Sequence, residues 1–228
     1  MSAADAIARF RKRIEEDWLP AFCNDPKRCH DPAGFRASSI KVSPIDASDC
    51  MFAIDSGIVV DGGGGRYRAA RNSAFEQLFS TGSRSQTPRP LTLWLEPVIT
   101  FAGLARLHRD HHWPAELLGS QPRGWAFDIV AHMPSDDRRY QIAGEVKKSN
   151  QEVDRLLADL QNLSACAVAD AVKENSRRKW DALLVAKPPV LWILGPAGYS
   201  TVMRVAYPSE NRAIFEIVSP CALDFDRS

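Results

Sequence analysis

The predicted fold depends on residues 124–149, GWAFDIVAHMPSDDRRYQIAGEVKKS. Apolar side chains predominate over 125–132, and apolar and polar residues are mixed over 140–148. Between these two arms lies PSDD, residues 134–137, which supplies turn-forming side chains. Two such arms joined by a turn predict a β-hairpin.

The hairpin has a consequence for its acidic residues. If the chain folds at the midpoint of the Asp-Asp pair in the turn, Asp128 lies opposite Glu145. Because strand side chains alternate between faces, Lys147 and Gln141 share the face of Glu145. Like charges directly opposed on a sheet destabilise it by up to about 1 kcal/mol.

A bound cation would remove that penalty. Apolar neighbours such as Phe127, Ile129 and Val146 predict a buried strand pair, where the desolvation of two carboxylates costs more. Oxygen ligands of this kind suit Mg²⁺ or Mn²⁺. Lys147 is then placed to stabilise negative charge on a phosphate. The alternative is a solvated hairpin face with an ordinary Glu-Lys pair.

A strand with Asp, a strand with Glu-x-Lys and a following helix resemble the PD-(D/E)xK, restriction-endonuclease-like nucleases. Asp128 matches the family's metal-binding Asp, Glu145 its second acid and Lys147 its lysine. Phe127 stands where the family has Pro, and the resemblance covers roughly residues 96–195. It implies a nuclease that hydrolyses phosphodiester bonds, with DNA as the expected substrate and Mg²⁺ or Mn²⁺ as cofactor.

Other residues complete the candidate site. The resemblance also implies an additional acid on the helix before the sheet, for which Glu96 is the leading candidate, ahead of Glu76 and Glu116. A negative charge that favours a helix start is the alternative role for Glu96. We assign the backbone carbonyl of Val146 as a further metal ligand, and Gln141 as a group that orients water or ligand.

Basic residues after the hairpin are candidates for nucleic-acid binding. They are Lys148, Lys173, Arg177 and Arg178, of which the last three lie in a helical stretch that also carries Lys179. Such a patch can hold a phosphodiester backbone, and a solvated helix face is the alternative. The net charge of the 228 residues is only +1, so a nuclease hypothesis rests on local patches of this kind.

Composition indicates a soluble globular protein, with 45% hydrophobic and 25% charged residues. The odd number of scattered cysteines, 5, is typical of reduced thiols in a cytoplasmic protein. A charged N-terminus without a signal peptide, and the absence of a long apolar run, predict no membrane partner.

Periodicity predicts an α/β (α+β) fold with a central mixed sheet flanked by helices, a restriction-endonuclease-like core. The loop at 81–90 divides the chain into an N-terminal α+β extension, 1–90, and the nuclease-like core, 91–228. Helices are predicted at 2–19, 72–79, 96–112, 150–166 and 167–182. Strands are predicted at 51–60, 91–95, 125–132, 140–148, 189–194, 200–206 and 213–218.

Three other functions are left open by the sequence. A catalytically silent module on the same fold could bind nucleic acid or protein. An assembly protein could bury the N-terminal helix and the Leu-rich helix at 150–166 against a second copy, as a homodimer. An acyl-transfer hydrolase is the third, although no G-x-S-x-G motif is present.

Overall fold

A computed structural model describes residues 2–25, 28, 30–122, 126–133, 136–165 and 174–226, with the backbone alone at 136–138. Within these ranges the α-helices are α1 Ala3–Arg13, α2 Leu19–Cys23, α3 Pro44–Asp55, α4 Leu95–Arg109, α5 Asn150–Ser164 and α6 Glu174–Ala186. Short strands of the N-terminal part are β1 Val59–Asp61, β2 Arg66–Ala69, β3 Glu76–Gln77, β4 Phe79–Thr81 and β5 Leu91–Leu93. The later strands are β6 Leu118–Ser120, β7 Ile129–Met133, β8 Asp136–Val146, β9 Val190–Leu194, β10 Ser200–Ser209 and β11 Arg212–Ile217.

The centre of the molecule is a six-stranded mixed sheet in the order β11-β10-β9-β8-β7-β6. Strands β6, β7 and β8 are antiparallel neighbours, and β8 and β9 are parallel. A parallel pair needs a crossover connection, here α5 and α6. The predicted mixed α+β architecture with a sheet flanked by helices is therefore confirmed.

Each face of the sheet is buried against helices. Ile129 and Ala131 of β7 pack in an apolar cluster with Phe101 and Leu104 of α4. The alternate residue Val130 packs in a second cluster that contains buried residues of α5 and α6. Helices therefore cover both faces, which explains why β7 and β9 are buried along almost their whole length.

The predicted register of the hairpin is confirmed, although its turn is not where we expected. Ile129 pairs with Gly144, so one further step places Asp128 opposite Glu145. Near the loop, Met133 pairs with Asp136, which belongs to β8 and not to the turn. Irregular pairing between Ala131 and Met133 absorbs the difference. Trp125, Pro134 and Ser135 of the predicted arm and turn lie outside the described residues.

The N-terminal part differs most from prediction. The first helix does not end at Pro20, because a π-helical turn at Ile14–Trp18 joins α1 to α2 and lets Leu19 donate to the carbonyl of Ile14. Proline at the start of α2 needs no donor of its own. Of the predicted strand at 51–60, the first half is the end of helix α3 and only the last two residues belong to strand β1. The predicted helix at 72–79 is not a helix and contains strand β3 and the first residue of β4.

The N-terminal part and the large sheet share one apolar cluster. It joins Phe10 of α1 and Met51 of α3 to Trp192 of β9. The apolar stripes of the N-terminal helix and of α5, which we considered for contact with a second copy, pack inside the chain. Within the described ranges, none of the helices has the length and apolar character needed to cross a membrane.

Candidate active site

The site lies where β7 begins and β8 ends. Asp128 precedes β7 by one residue, and its N–H donates to the carbonyl of Gly144 at 2.9 Å. In return, the N–H of Val146 donates to Oδ2 of Asp128 at 2.8 Å. These two bonds fix the backbone and the carboxylate of Asp128 against the end of β8.

Glu145 is the central group of the site. It is 3% exposed, on the sheet face that α5 and α6 cover. Lys147 Nζ lies 2.5 Å from its Oε1, and Lys179 Nζ, which comes from α6, lies 2.6 Å from its Oε2. Both carboxylate oxygens therefore face a cation of the protein, although Oε2 has no hydrogen bond of good geometry.

The proximity of the charges alters their ionisation. Burial, and next the negative charge of Glu145, raise the pKa of Asp128 to about 8. Burial also opposes the charged form of Lys147, but Glu145 and Asp128 outweigh it, so the pKa of Lys147 is raised. At neutral pH, Asp128 therefore holds its proton and Lys147 is a cation.

A cavity of about 240 Å³ opens beside Lys147, and Asp128 and Glu145 are not among the described residues that line it. Its lining is mostly charged or polar, and its basic members are Lys147, Lys148, Arg155 and Lys179. Glu96 lines the same cavity from the first turn of α4 and accepts a bond of 3.0 Å from the indole of Trp94. Hence the structure brings Glu96 and Lys148 to the neighbourhood of Asp128, Glu145 and Lys147.

Other predicted residues are not placed at the cavity. Gln141 occupies the irregularity of β8, where pairing passes from Ile142 directly to Tyr140. Like Asp128 and Glu145, it is not among the described residues that line the cavity, and its role in orienting water or ligand stays a prediction. Arg177 and Arg178 are exposed on α6, outside the described lining. Lys173 lies outside the described residues.

The two weaker candidates for the additional acid, Glu76 and Glu116, are not among the described residues that line this cavity. Glu76 is buried, and burial raises its pKa, while Gln121 and Ser120 hydrogen-bond it and Glu96 acts on it by charge. Glu116 is remote from this cavity and borders another, next to Gly57 and Arg68. Of the three acids considered for the additional position, only Glu96 is among the described residues that line the cavity beside Lys147.

Lys179 is a residue of the site that the Asp and Glu-x-Lys motif does not predict. It lies three residues after Ser176 and four before Leu183, and both of these are buried. Residues at such spacings share a helix face, so Lys179 belongs to the inward stripe of α6, whereas Arg177 and Arg178 do not. This spacing was a usable signal, but it did not reveal that the inward lysine reaches Glu145.

We tested whether these residues suit a divalent cation. Among the described residues, no three His, Cys, Asp or Glu side chains form a group that could hold a metal ion. Mg²⁺ is commonly bound by only one or two carboxylates, with water and substrate oxygens as its other ligands. Asp128 and the imperfectly bonded Oε2 of Glu145 fit that smaller requirement.

Comparisons of the chain with family models, with curated proteins and with solved structures gave no match. The functional hypothesis therefore depends on the geometry of the site and on the motif that Asp128, Glu145 and Lys147 form.

Proposed function

We propose that the protein is a metal-dependent nuclease of the PD-(D/E)xK type that hydrolyses phosphodiester bonds, with DNA as the expected substrate and Mg²⁺ or Mn²⁺ as cofactor. One observation carries the proposal. Two carboxylates that would repel each other, Asp128 and Glu145, adjoin the ammonium of Lys147 beside a cavity with several basic residues. A structural hairpin gains nothing from opposed buried acids.

Asp128 and Glu145 would hold the cation, with the carbonyl of Val146 as a third ligand from the chain. When bound, such an ion lowers the pKa of a water molecule and neutralises phosphate charge. Lys147 keeps its positive charge beside Glu145, and it would stabilise the negative charge that grows on the phosphate during attack. Glu96 stays a proposed additional acid, because it lines the cavity beside Lys147.

Lys148 and Arg155 would hold the nucleic-acid backbone at the cavity mouth, since both line it and both are exposed. The strand, strand and helix on which the family resemblance rests are β7, β8 and α5. A cytoplasmic location remains part of the proposal, and it agrees with the free thiols that Cys23, Cys50 and Cys221 show among the described residues.

The test is incubation of the full chain with plasmid, linear and single-stranded DNA in Mg²⁺, Mn²⁺ or EDTA. We expect metal-dependent cleavage that EDTA abolishes. The variants Asp128→Ala, Glu145→Ala and Lys147→Ala should each lose cleavage while their circular dichroism spectra and unfolding temperatures show a folded protein. Full cleavage by Asp128→Ala would refute the proposal.

A second candidate is a catalytically silent module that binds nucleic acid without cutting. It is favoured by the way Lys147 and Lys179 already neutralise Glu145 without a metal ion. Titration calorimetry with Mg²⁺ or Mn²⁺ separates the two functions, because the silent module would bind DNA but release or absorb no heat with either ion.

A further inference from the structure

We propose that Lys179 is an internal cation of this site, which holds Oε2 of Glu145 in the metal-free protein and turns to the substrate phosphate when a divalent ion takes that oxygen. This inference rests on the proposed function and deepens it. The residue lies on α6, which follows α5 in the crossover, and it is not part of the Asp and Glu-x-Lys motif.

The first support is the position of the ammonium. The Lys179 side chain is 13% exposed, and its Nζ lies 2.6 Å from Glu145 Oε2. The same Nζ donates to the backbone carbonyl of Ala126, two residues before Asp128. Lys179 thus connects the backbone just before Asp128 to the side chain of Glu145. Its positive charge also acts to lower the pKa of Asp128, against the effect of burial.

The second support is that α6 is fixed in place. Trp180 and Leu183 are buried in the apolar cluster on this face of the sheet. Ser176 Oγ donates to Oδ2 of Asp159 on α5 at 2.6 Å, which ties the two helices together one turn before Lys179. The backbone of Lys179 is therefore held at the site, and only its side chain needs to move.

The third support is competition for one oxygen. An Mg²⁺ ion binds a carboxylate oxygen at about 2.1 Å, so an ion on Glu145 Oε2 would lie within about 5 Å of the Lys179 ammonium, and the two cations would repel each other. Lys147 remains on Oε1, so Glu145 keeps one cationic neighbour after the exchange. The released ammonium still borders the cavity, where a phosphate group of the substrate supplies the anion that it has lost.

The experiment compares Lys179→Met with the wild type and with Lys12→Met, a matched control. Lys12 lies on α1, exposed, 3.8 Å from Glu16, so its loss removes the same charge away from the site. Calorimetric titration of the metal-free full chain with Mn²⁺ should show about tenfold tighter binding for Lys179→Met and no change for Lys12→Met. Cleavage of DNA at saturating Mn²⁺ should fall at least about tenfold in Lys179→Met alone.

Each outcome has a distinct meaning. Unchanged or weaker Mn²⁺ binding by Lys179→Met, together with cleavage by the wild type, overturns the role of Lys179 and leaves the proposed function intact. If neither the wild type nor Lys179→Met binds Mn²⁺, both proposals fail. Should Lys179→Met not fold, Lys179→Gln serves the same test, because its amide can still donate to the carbonyl of Ala126.

Discussion

The backbone N–H of Val146 donates a 2.8 Å hydrogen bond to Oδ2 of Asp128, so the acid before β7 is held at the end of β8. This bond favours an ionised carboxylate, but burial and the charge of Glu145 outweigh it and raise the pKa of Asp128 to about 8. An aspartate at position 128 therefore destabilises the folded protein at neutral pH, as is typical of groups kept for function.

The first prediction concerns the pH dependence of stability. In an unfolded chain, aspartate has a pKa of about 3.9. Between that value and about 8, folded Asp128 keeps a proton that the unfolded chain has released, so its contribution to the free energy of unfolding falls as pH rises. Asp128→Asn removes this penalty and keeps an oxygen for the N–H of Val146.

We therefore expect Asp128→Asn to stabilise the metal-free protein at pH 8 and to change it little at pH 4.5. One pKa unit corresponds to about 1.4 kcal/mol, so the gain at pH 8 should be on the order of a few kcal/mol. Urea unfolding in a chelator at both pH values measures it. Asp181→Asn, at an exposed acid of α6, is the control. An equal urea midpoint for Asp128→Asn and wild type at pH 8 would contradict the prediction.

The second prediction couples metal binding to a proton. If a cation binds the carboxylate of Asp128, the proton that this group holds at pH 7 must leave. As the pH is increased towards 8, the affinity for Mn²⁺ should then rise about tenfold with each pH unit, and above pH 8 it should level off. Calorimetry in two buffers of different ionisation enthalpy should detect about one proton released per ion at pH 7. A pH-independent affinity would exclude Asp128 as a ligand.

The third prediction compares adjacent lysines. Lys147 is largely buried against Glu145, whereas Lys148 is exposed and lies 3.8 Å from Glu152. Lys147→Met should lower the cleavage rate at saturating DNA by about 10²–10³-fold, since it removes a charge at the reacting phosphate. Lys148→Met should instead raise KM and reduce the salt dependence of DNA binding by about one ion. Steady-state cleavage over a range of salt concentrations distinguishes them, and equal effects would argue against separate roles.

The candidate site was predictable from the sequence because strand alternation acts over short distances. Asp128, Glu145 and Lys147 belong to one hairpin, and their faces follow from residue parity once the two strands are identified. The turn was misplaced, yet the pairing near the acids is as predicted, because irregular pairing near the loop takes up the extra residues. Gln141 lies at that irregularity, so its face does not follow from residue parity alone.

Contacts between distant segments of the chain are harder to predict from the sequence. Lys179 is 34 residues from Glu145, and no local pattern relates the packing of α6 to that side chain. The apolar run at 51–60 was interpreted as a strand, since short apolar runs suit either structure. Ser43 and Pro44, a capping residue and a proline at the first helical position, were the signal for helix α3.

The last prediction concerns the ion pairs that hold α4, the helix that carries Glu96 to the cavity. Arg106 of α4 contacts two buried acids of α3, Asp46 at 2.6 Å and Asp49 at 2.8 Å. Asp46 also accepts from the N–H of Ala197, in the loop between β9 and β10. Removal of the arginine would break the buried ion pair of Asp46, whereas Asp49 would keep Arg109 at 2.7 Å. Breaking a buried pair by removing one partner typically costs about 3–5 kcal/mol.

Arg106→Met should lower the free energy of unfolding by that amount, whereas Arg204→Met should cost less than about 1 kcal/mol. Arg204 is the matched control, because its pair with Glu216 is exposed and 3.9 Å long. Urea denaturation of both variants at pH 7 measures the difference. Equal losses would mean that the pairs between α3 and α4 add nothing beyond a surface contact, and that α4 is held by its apolar face alone.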